Sequence, residues 1–358
     1  MRGATIAEVA AEAGVGIGTV SRVLNESPAV SDRTRRRVLD AIATLDYQPS
    51  AAARALSTGR SGAIGVIAPF FTQPSVIERL RGVSRALTTA GYELILFDVE
   101  RAEQLGEFFN AGALRGRVDG LLSISLSPSP LAARRLEAAR LPVVLVDRGD
   151  ERIPGITIDD EKGGRTAAEH LLALGHRRIA FLGDEEENAF GFDSSARRRE
   201  GFEAALEAAG HPLAPELRIR RPHGRDIAQD AAAGLLALVD PPTAIFATSD
   251  VQAIGVLKAA RAEGISVPDE LSVLGFDDVE AAEYTGLTTI AQPLEESGAL
   301  GAELLLRRMS GEAVEPRELP LALVDRGSTA PFRRRGTGEG NPRKHELKSG
   351  IRRRRVHA

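Results

Sequence analysis

The stretch Ile17-Gly18-Thr19-Val20-Ser21-Arg22-Val23-Leu24-Asn25 carries two chemistries at helical spacing. Val20, Val23 and Leu24 share an apolar face, which leaves Gly18, Thr19, Ser21, Arg22 and Asn25 outside. That outer set suits the edges of base pairs. The planar fork of Arg22 matches the O6/N7 pair of guanine, while Thr19, Ser21 and Asn25 suit phosphates or base edges. A first apolar series (Ile6, Val9, Ala10, Ala13) ends at the glycine-bearing break Gly14-Val15-Gly16, and a third (Val38, Ile42, Leu45) follows. Thr5 and Ser31 stand where N-caps of the first and third helices belong, at the same end of the chain as the base-reading set. Two helices joined by a tight turn and followed by a third form a helix-turn-helix, although a plain helical unit with a solvated polar face fits the spacing equally well. A dinucleotide fingerprint fits less well. Gly14-x-Gly16 follows a helix rather than a strand, and Thr19 occupies the place of the third glycine.

No catalytic constellation accompanies these residues. The chain has no cysteine, no nucleophile elbow, no phosphate loop and no paired-histidine zinc motif, and its six histidines are scattered. No catalytic residue, metal site or cofactor is expected. Hydrophobic residues at 43% and charged residues at 27% describe an ordinary globular chain, and 358 residues imply two or three domains. The absence of an 18-residue apolar run and of an apolar leader after Met1 argues for a cytoplasmic protein.

From Ala63 the pattern changes to short apolar runs alternating with amphipathic stretches. The runs are Ala63–Pro69, Tyr92–Asp98, Gly120–Ser125, Pro142–Asp147, Arg178–Gly183, Thr243–Thr248 and Leu271–Phe276. Strand and helix in alternation predict parallel sheets, and about 270 residues of it predict two α/β lobes. Ligands bind beyond the carboxyl ends of such strands, so two facing lobes share one cleft. Phe70 and Gln73 follow the first run, and Ser125 and Asp147 close later ones. The net charge of −4 is uneven: +2 over residues 1–60, −14 over 61–330 and +8 over 331–358. The last segment is basic and poor in apolar residues, the composition of a disordered tail; it is either an unselected extension or a source of nonspecific DNA affinity.

The run Thr5-Ile6-x-x-Val9-Ala10-x-x-Ala13-Gly14-Val15, with Thr19-Val20-Ser21-Arg22-Val23-Leu24-Asn25, Val30-Ser31 and Tyr47-x-Pro49, closely resembles the lactose-repressor type (LacI/GalR) family of bacterial regulators. Further matches include Ala53-Arg54-x-Leu56, Val118-Asp119-Gly120-Leu121, Leu174-Gly175-His176-Arg177 and Gly275-Phe276-Asp277-Asp278, so the resemblance spans residues 4 to about 331. It implies an α/β protein with an N-terminal helix-turn-helix domain (1–49), a hinge helix (50–60) and a two-lobed periplasmic-binding-protein-like core (61–330) before the tail (331–358). Within the core, the N-lobe is expected over about 61–158 and 289–318, and the C-lobe over 159–288 and 319–330.

The implied partners are a palindromic DNA operator, a second copy of the chain (a tetramer being the further option) and a small-molecule effector, most often a sugar and otherwise a purine or other metabolite. Seven residues, Ala51–Ser57, are too few for an isolated helix. The resemblance makes them a hinge that orders on DNA, with Arg54 within it and Leu56 as the wedge between base pairs. It also makes Arg198, Asp250 and Asp277 effector contacts. Phe190 is a stacking surface for a sugar ring in that reading and a core residue in the plainer one, and Asp250 is alternatively a helix cap. The chain departs from the family at Gly16, where Ser is usual, at Gln73-Pro74-Ser75, where Asn-Pro-Phe is frequent, and at Ser249, where Asn is frequent. Ile17 and Gly18 replace side chains that often read bases, which leaves Ile17 to touch a thymine methyl. A solute-binding protein of a transporter would share the core but not the helical head.

Overall fold

The computed structural model describes residues 4–24, 27–47, 60–185 and 188–333. Asn25, Arg54, Leu56, all but the last residue of the expected hinge, and the tail from 334 lie outside the described residues.

Helices α1 (Ile6–Glu12), α2 (Ile17–Leu24) and α3 (Asp32–Thr44) enclose a small core of Val9, Val20, Val23, Val38 and Tyr47. Thr5 caps α1 in a reciprocal box: its hydroxyl accepts from Glu8 N, and its own N–H donates to Glu8 Oε2 at 2.7 Å. The helix ends where Val15 N reaches Ala10 O and Gly14 N reaches Ala11 O, a double closure that needs a left-handed residue. Gly14 provides it at φ +61°, and a side chain there would also meet Arg37 Nη2. That guanidinium bonds the carbonyls of Ala13 and Gly14, so α3 locks the turn that aims α2.

The remaining elements run β1 (Ala63–Pro69), α4 (Pro74–Thr89), β2 (Glu93–Val99), α5 (Leu105–Phe108), α6 (Ala111–Leu114), β3 (Gly120–Ile124), α7 (Pro130–Ala138), β4 (Val143–Val146) and β5 (Gly155–Ile158). After α8 (Asp160–Ala173) come β6 (Ile179–Asp184), α9 (Ser194–Ala208), β7 (Arg218–Arg221), α10 (Arg225–Leu236), β8 (Ala244–Ala247), α11 (Asp250–Ala262) and β9 (Ser272–Asp277). The chain closes with α12 (Glu280–Thr285), β10 (Thr288–Ala291), α13 (Leu294–Met309), β11 (Arg317–Leu319) and β12 (Ala322–Val324).

Two six-stranded sheets result, ordered β11-β5-β4-β3-β1-β2 and β12-β10-β9-β8-β6-β7; β12 alone of their strands runs antiparallel to its neighbour. All seven strands expected from apolar runs occur, displaced by at most one residue. The expected lobe boundary at 288 is corrected: β10 pairs with β9 and β12, so Thr289–Ala291 belong to the second sheet. The chain returns to the first lobe at Gln292-Pro293, where proline can donate nothing to a ladder. It crosses back between Leu319 and Ala322, and Phe332 N still donates to Leu174 O, so packing continues past 330.

Glycines set the helix pairs on each lobe. A Cβ on Gly82 would lie 1.9 Å from Glu295 O, and one on Gly298 would lie 2.0 Å from Arg79 O. In the second lobe Gly164 and Gly201 stand 1.8 Å in the same sense from Arg198 O and Glu161 O. Thus α4 meets α13, and α8 meets α9, backbone to backbone.

Candidate effector cleft and DNA-reading face

Strand order reverses between β1 and β3 in the first sheet and between β6 and β8 in the second, and a doubly wound sheet opens a crevice at such a point. Both crevices face one cleft of about 470 Å³. The first lobe lines it with Phe70 and Gln73 after β1, Ser125 after β3 and Asp147 after β4. The second contributes Asp184 from β6, Ser195 and Arg198 from α9, Thr248 after β8 and Asp277 from β9. Phe70, Ser125, Asp147 and Asp277 have φ of +44°, +56°, +67° and +120°. Strain of this kind in non-glycine residues collects where the chain must turn side chains toward a ligand.

Polar contacts hold these side chains in place. Ser125 Oγ donates to Asp147 Oδ2 at 2.7 Å. Arg198 Nε meets Asp160 Oδ1 at 2.8 Å, its Nη1 donates to Thr248 O at 2.6 Å, and its guanidinium lies 3.6 Å from the centre of the Phe276 ring. Asp277 Oδ1 accepts from Gln292 Nε2 at 2.6 Å and lies 3.7 Å from Arg198 Nη1. Burial pushes the Asp277 and Asp160 carboxyls above the usual range, and Arg198 opposes the rise in both. Across the mouth, Arg148 of the first lobe pairs with Asp193 of the second, and the Phe70 and Phe190 rings meet edge to face at 5.2 Å.

Phe70, Gln73, Ser125, Asp147, Phe190, Arg198 and Asp277 are therefore brought together as expected positions of one cleft. Asp250 is not. It is fully buried behind the cleft, accepting from Val279 N at 2.9 Å and Thr289 Oγ1 at 2.6 Å, and the cap of α11 is Ser249. Burial and the charge of Asp277 push its carboxyl up to about 8. The earlier expectation that Asp250 contacts an effector is corrected: it braces the β9–α12 loop against β10. The sequence reading missed Arg79, Arg148, Asp184, Phe192, His223 and Gln292, which also line the cleft. Arg79 left a signal, an arginine on the same helical face as Val76 and Val83; His223 and Gln292 sit in connections with no periodicity to flag them.

In the head, Ile17 and Arg22 are exposed and Thr19 and Ser21 are half-buried on α2, while Thr5 and Ser31 cap α1 and α3. The exposed residues of α2 therefore include the arginine and, five positions before it, an apolar side chain.

Residues 5–50 match the model for bacterial regulatory proteins of the lacI family, and residues 168–329 match a periplasmic binding protein-like domain. The HTH-type transcriptional regulator DegA of Bacillus subtilis (strain 168) is 34% identical over 338 residues, covering 92% of this chain and 98% of that protein. The chain belongs to the lacI family. It is accordingly a DNA-binding transcriptional regulator rather than an enzyme, with the family's helix-turn-helix head and periplasmic-binding-protein-like core. Among solved structures, the lac repressor dimer bound to operator and the anti-inducer ONPF superposes with a TM-score of 0.80 at 28% identity, covering 92% of this chain and all of that one. A transcriptional regulator CelR–cellobiose complex superposes at 0.65 with 32% identity, covering 91% and 99%. No helix among the described residues is long and apolar enough to cross a membrane.

Proposed function

We propose that the chain is a cytoplasmic, homodimeric repressor of a carbohydrate-utilisation operon, reading a palindromic operator through α2 and releasing or gripping it as a neutral sugar occupies the cleft. The observation that carries the sugar reading is the polar character of the lining. Among the described residues five acids (Asp147, Asp184, Glu185, Asp193, Asp277) face three arginines (Arg79, Arg148, Arg198) and His223, in which burial is outweighed by the pairing with Asp184 that raises its pKa. Cations thus do not outnumber acids and offer a phosphate or carboxylate ligand no net attraction. Carboxylates instead accept strong charge-assisted hydrogen bonds from neighbouring hydroxyls, and Phe70 and Phe190 offer an apolar surface to a sugar ring. The CelR relative was solved with cellobiose, which agrees with that chemistry.

The dimer reading is supported by a groove on the outer face of α4, lined by Phe71, Ile77, Leu80, Arg81, Arg85 and Glu295. Phe71 and Ile77 are exposed there, as is Tyr284 on α12, whose neighbour Glu280 reaches Arg81 at 3.6 Å.

A thermal-shift screen of the whole chain against neutral sugars, sugar phosphates and purines tests the proposal. A ligand at 100 times its dissociation constant adds about 2.7 kcal/mol to stability. Neutral sugars are expected to raise the unfolding temperature; a shift produced only by purines or sugar phosphates would overturn the sugar assignment.

A further inference from the structure

Arg79 stands where a helix of this kind calls for an apolar residue. It lies three residues beyond Val76 and four before Val83, both buried, and is itself only 2% exposed. Its backbone cannot retreat, because Gly298 of α13 packs against its carbonyl. One amino group, Nη2, is shared between Asp147 Oδ1 at 2.7 Å and Gln292 Oε1 at 2.9 Å, while Nε is buried with no hydrogen-bond partner among the described residues.

A guanidinium only donates, so Gln292 must turn its oxygen toward Arg79 and its nitrogen toward Asp277, which it reaches at 2.6 Å. Gln292 is also the residue at which the chain passes from the second lobe to the first. One cation in the first lobe thereby fixes that lobe's Asp147 directly and the second lobe's Asp277 through the crossover. Leaving Asp147 or the Gln292 oxygen without this donor would cost more than the bond itself contributes.

We infer that Arg79 is a specificity-determining positioning residue, which aligns Asp147 and Asp277 from opposite lobes so that a polyhydroxylated ligand is bound only when it engages both. The inference rests on the sugar reading of the cleft. It assigns Arg79 no direct contact with the ligand; its effect runs through the two acceptors.

Calorimetric titration of the full chain with ribose, glucose, galactose and cellobiose tests it, using Arg79→Met, Gln292→Met, the double variant and Arg79→Lys. Each methionine variant is expected to lose about tenfold or more in affinity for whichever sugar the unaltered chain binds. Because both act on one relay, the double variant is expected to fall to within about threefold of the weaker single, whereas independent effects would multiply. Arg79→Lys keeps a charge near Asp147 without placing a guanidinium nitrogen between both acceptors and is expected to recover part of the loss. Should Arg79→Met fail to fold, Gln292→Met and Arg79→Lys still give the comparison. An affinity of Gln292→Met within about twofold of the unaltered chain, or multiplicative losses, would overturn the role of Arg79. Failure of the unaltered chain to bind any of the four sugars would instead overturn the sugar reading beneath it.

Discussion

Arg198→Met is expected to destabilise the core by about 3–5 kcal/mol at neutral pH, the range for removing one member of a buried ionic cluster. Arg198 is 6% exposed and faces Asp160 at 2.8 Å and Asp277 at 3.7 Å, so its loss strands two buried carboxylates. Methionine keeps the volume of the aliphatic stem and removes only the guanidinium that lies over Phe276, which makes the deficit electrostatic rather than steric. Burial already holds both carboxyls above their ordinary range in the folded chain, with Arg198 pulling them back. Without that pull they rise further. A folded pKa above the unfolded one means that the native state holds the extra proton in between, so stability declines as pH climbs through that window. The destabilisation should therefore be largest at alkaline pH and shrink as pH falls toward 4, the ordinary aspartate range. Urea unfolding of the variant and the unaltered chain across pH measures this; a loss below about 1 kcal/mol at pH 8 would contradict the buried-cluster description.

Arg22→Ala is expected to reduce discrimination between the preferred duplex and random DNA by about 1–3 kcal/mol, with little change in stability. The side chain is exposed on α2, and the helix is carried by Val20 and Val23 beneath it. Competition binding with the duplex enriched from genomic fragments gives the ratio. A uniform weakening on both DNAs would make Arg22 a phosphate contact instead of a base reader.

The sequence carried the architecture well where side-chain periodicity is strong. Strands β1, β3, β4, β6, β8 and β9 are four to seven residues of nearly pure apolar character, because they are covered on both faces, and the half-buried edge strand β2 keeps enough of that character to be read. Strands β5, β7, β10, β11 and β12 were not marked by such runs. Arg218–Arg221 is a charged edge, and Arg317–Leu319 and Ala322–Val324 are three-residue additions whose place depends on the sheet already being built. The cleft was legible at strand ends, where Phe70, Gln73, Ser125 and Asp147 follow directly from topology.

The polar wiring between the lobes was not legible, since it joins residues such as Arg79 and Gln292 that are 213 positions apart. Asp250 shows the opposite failure. Like Asp147 it lies shortly after a strand, yet its carboxylate turns back to Val279 and Thr289, which only the folded chain reveals.

The most direct measurement is affinity for the enriched duplex, by fluorescence anisotropy, at rising concentrations of a sugar that stabilises the chain, together with sugar affinity at rising duplex. Site coupling predicts that the sugar changes DNA affinity by a factor of about 5 to 150, and that DNA changes sugar affinity by the same factor. Identical DNA binding with and without saturating sugar would contradict a regulator whose cleft controls its grip on DNA.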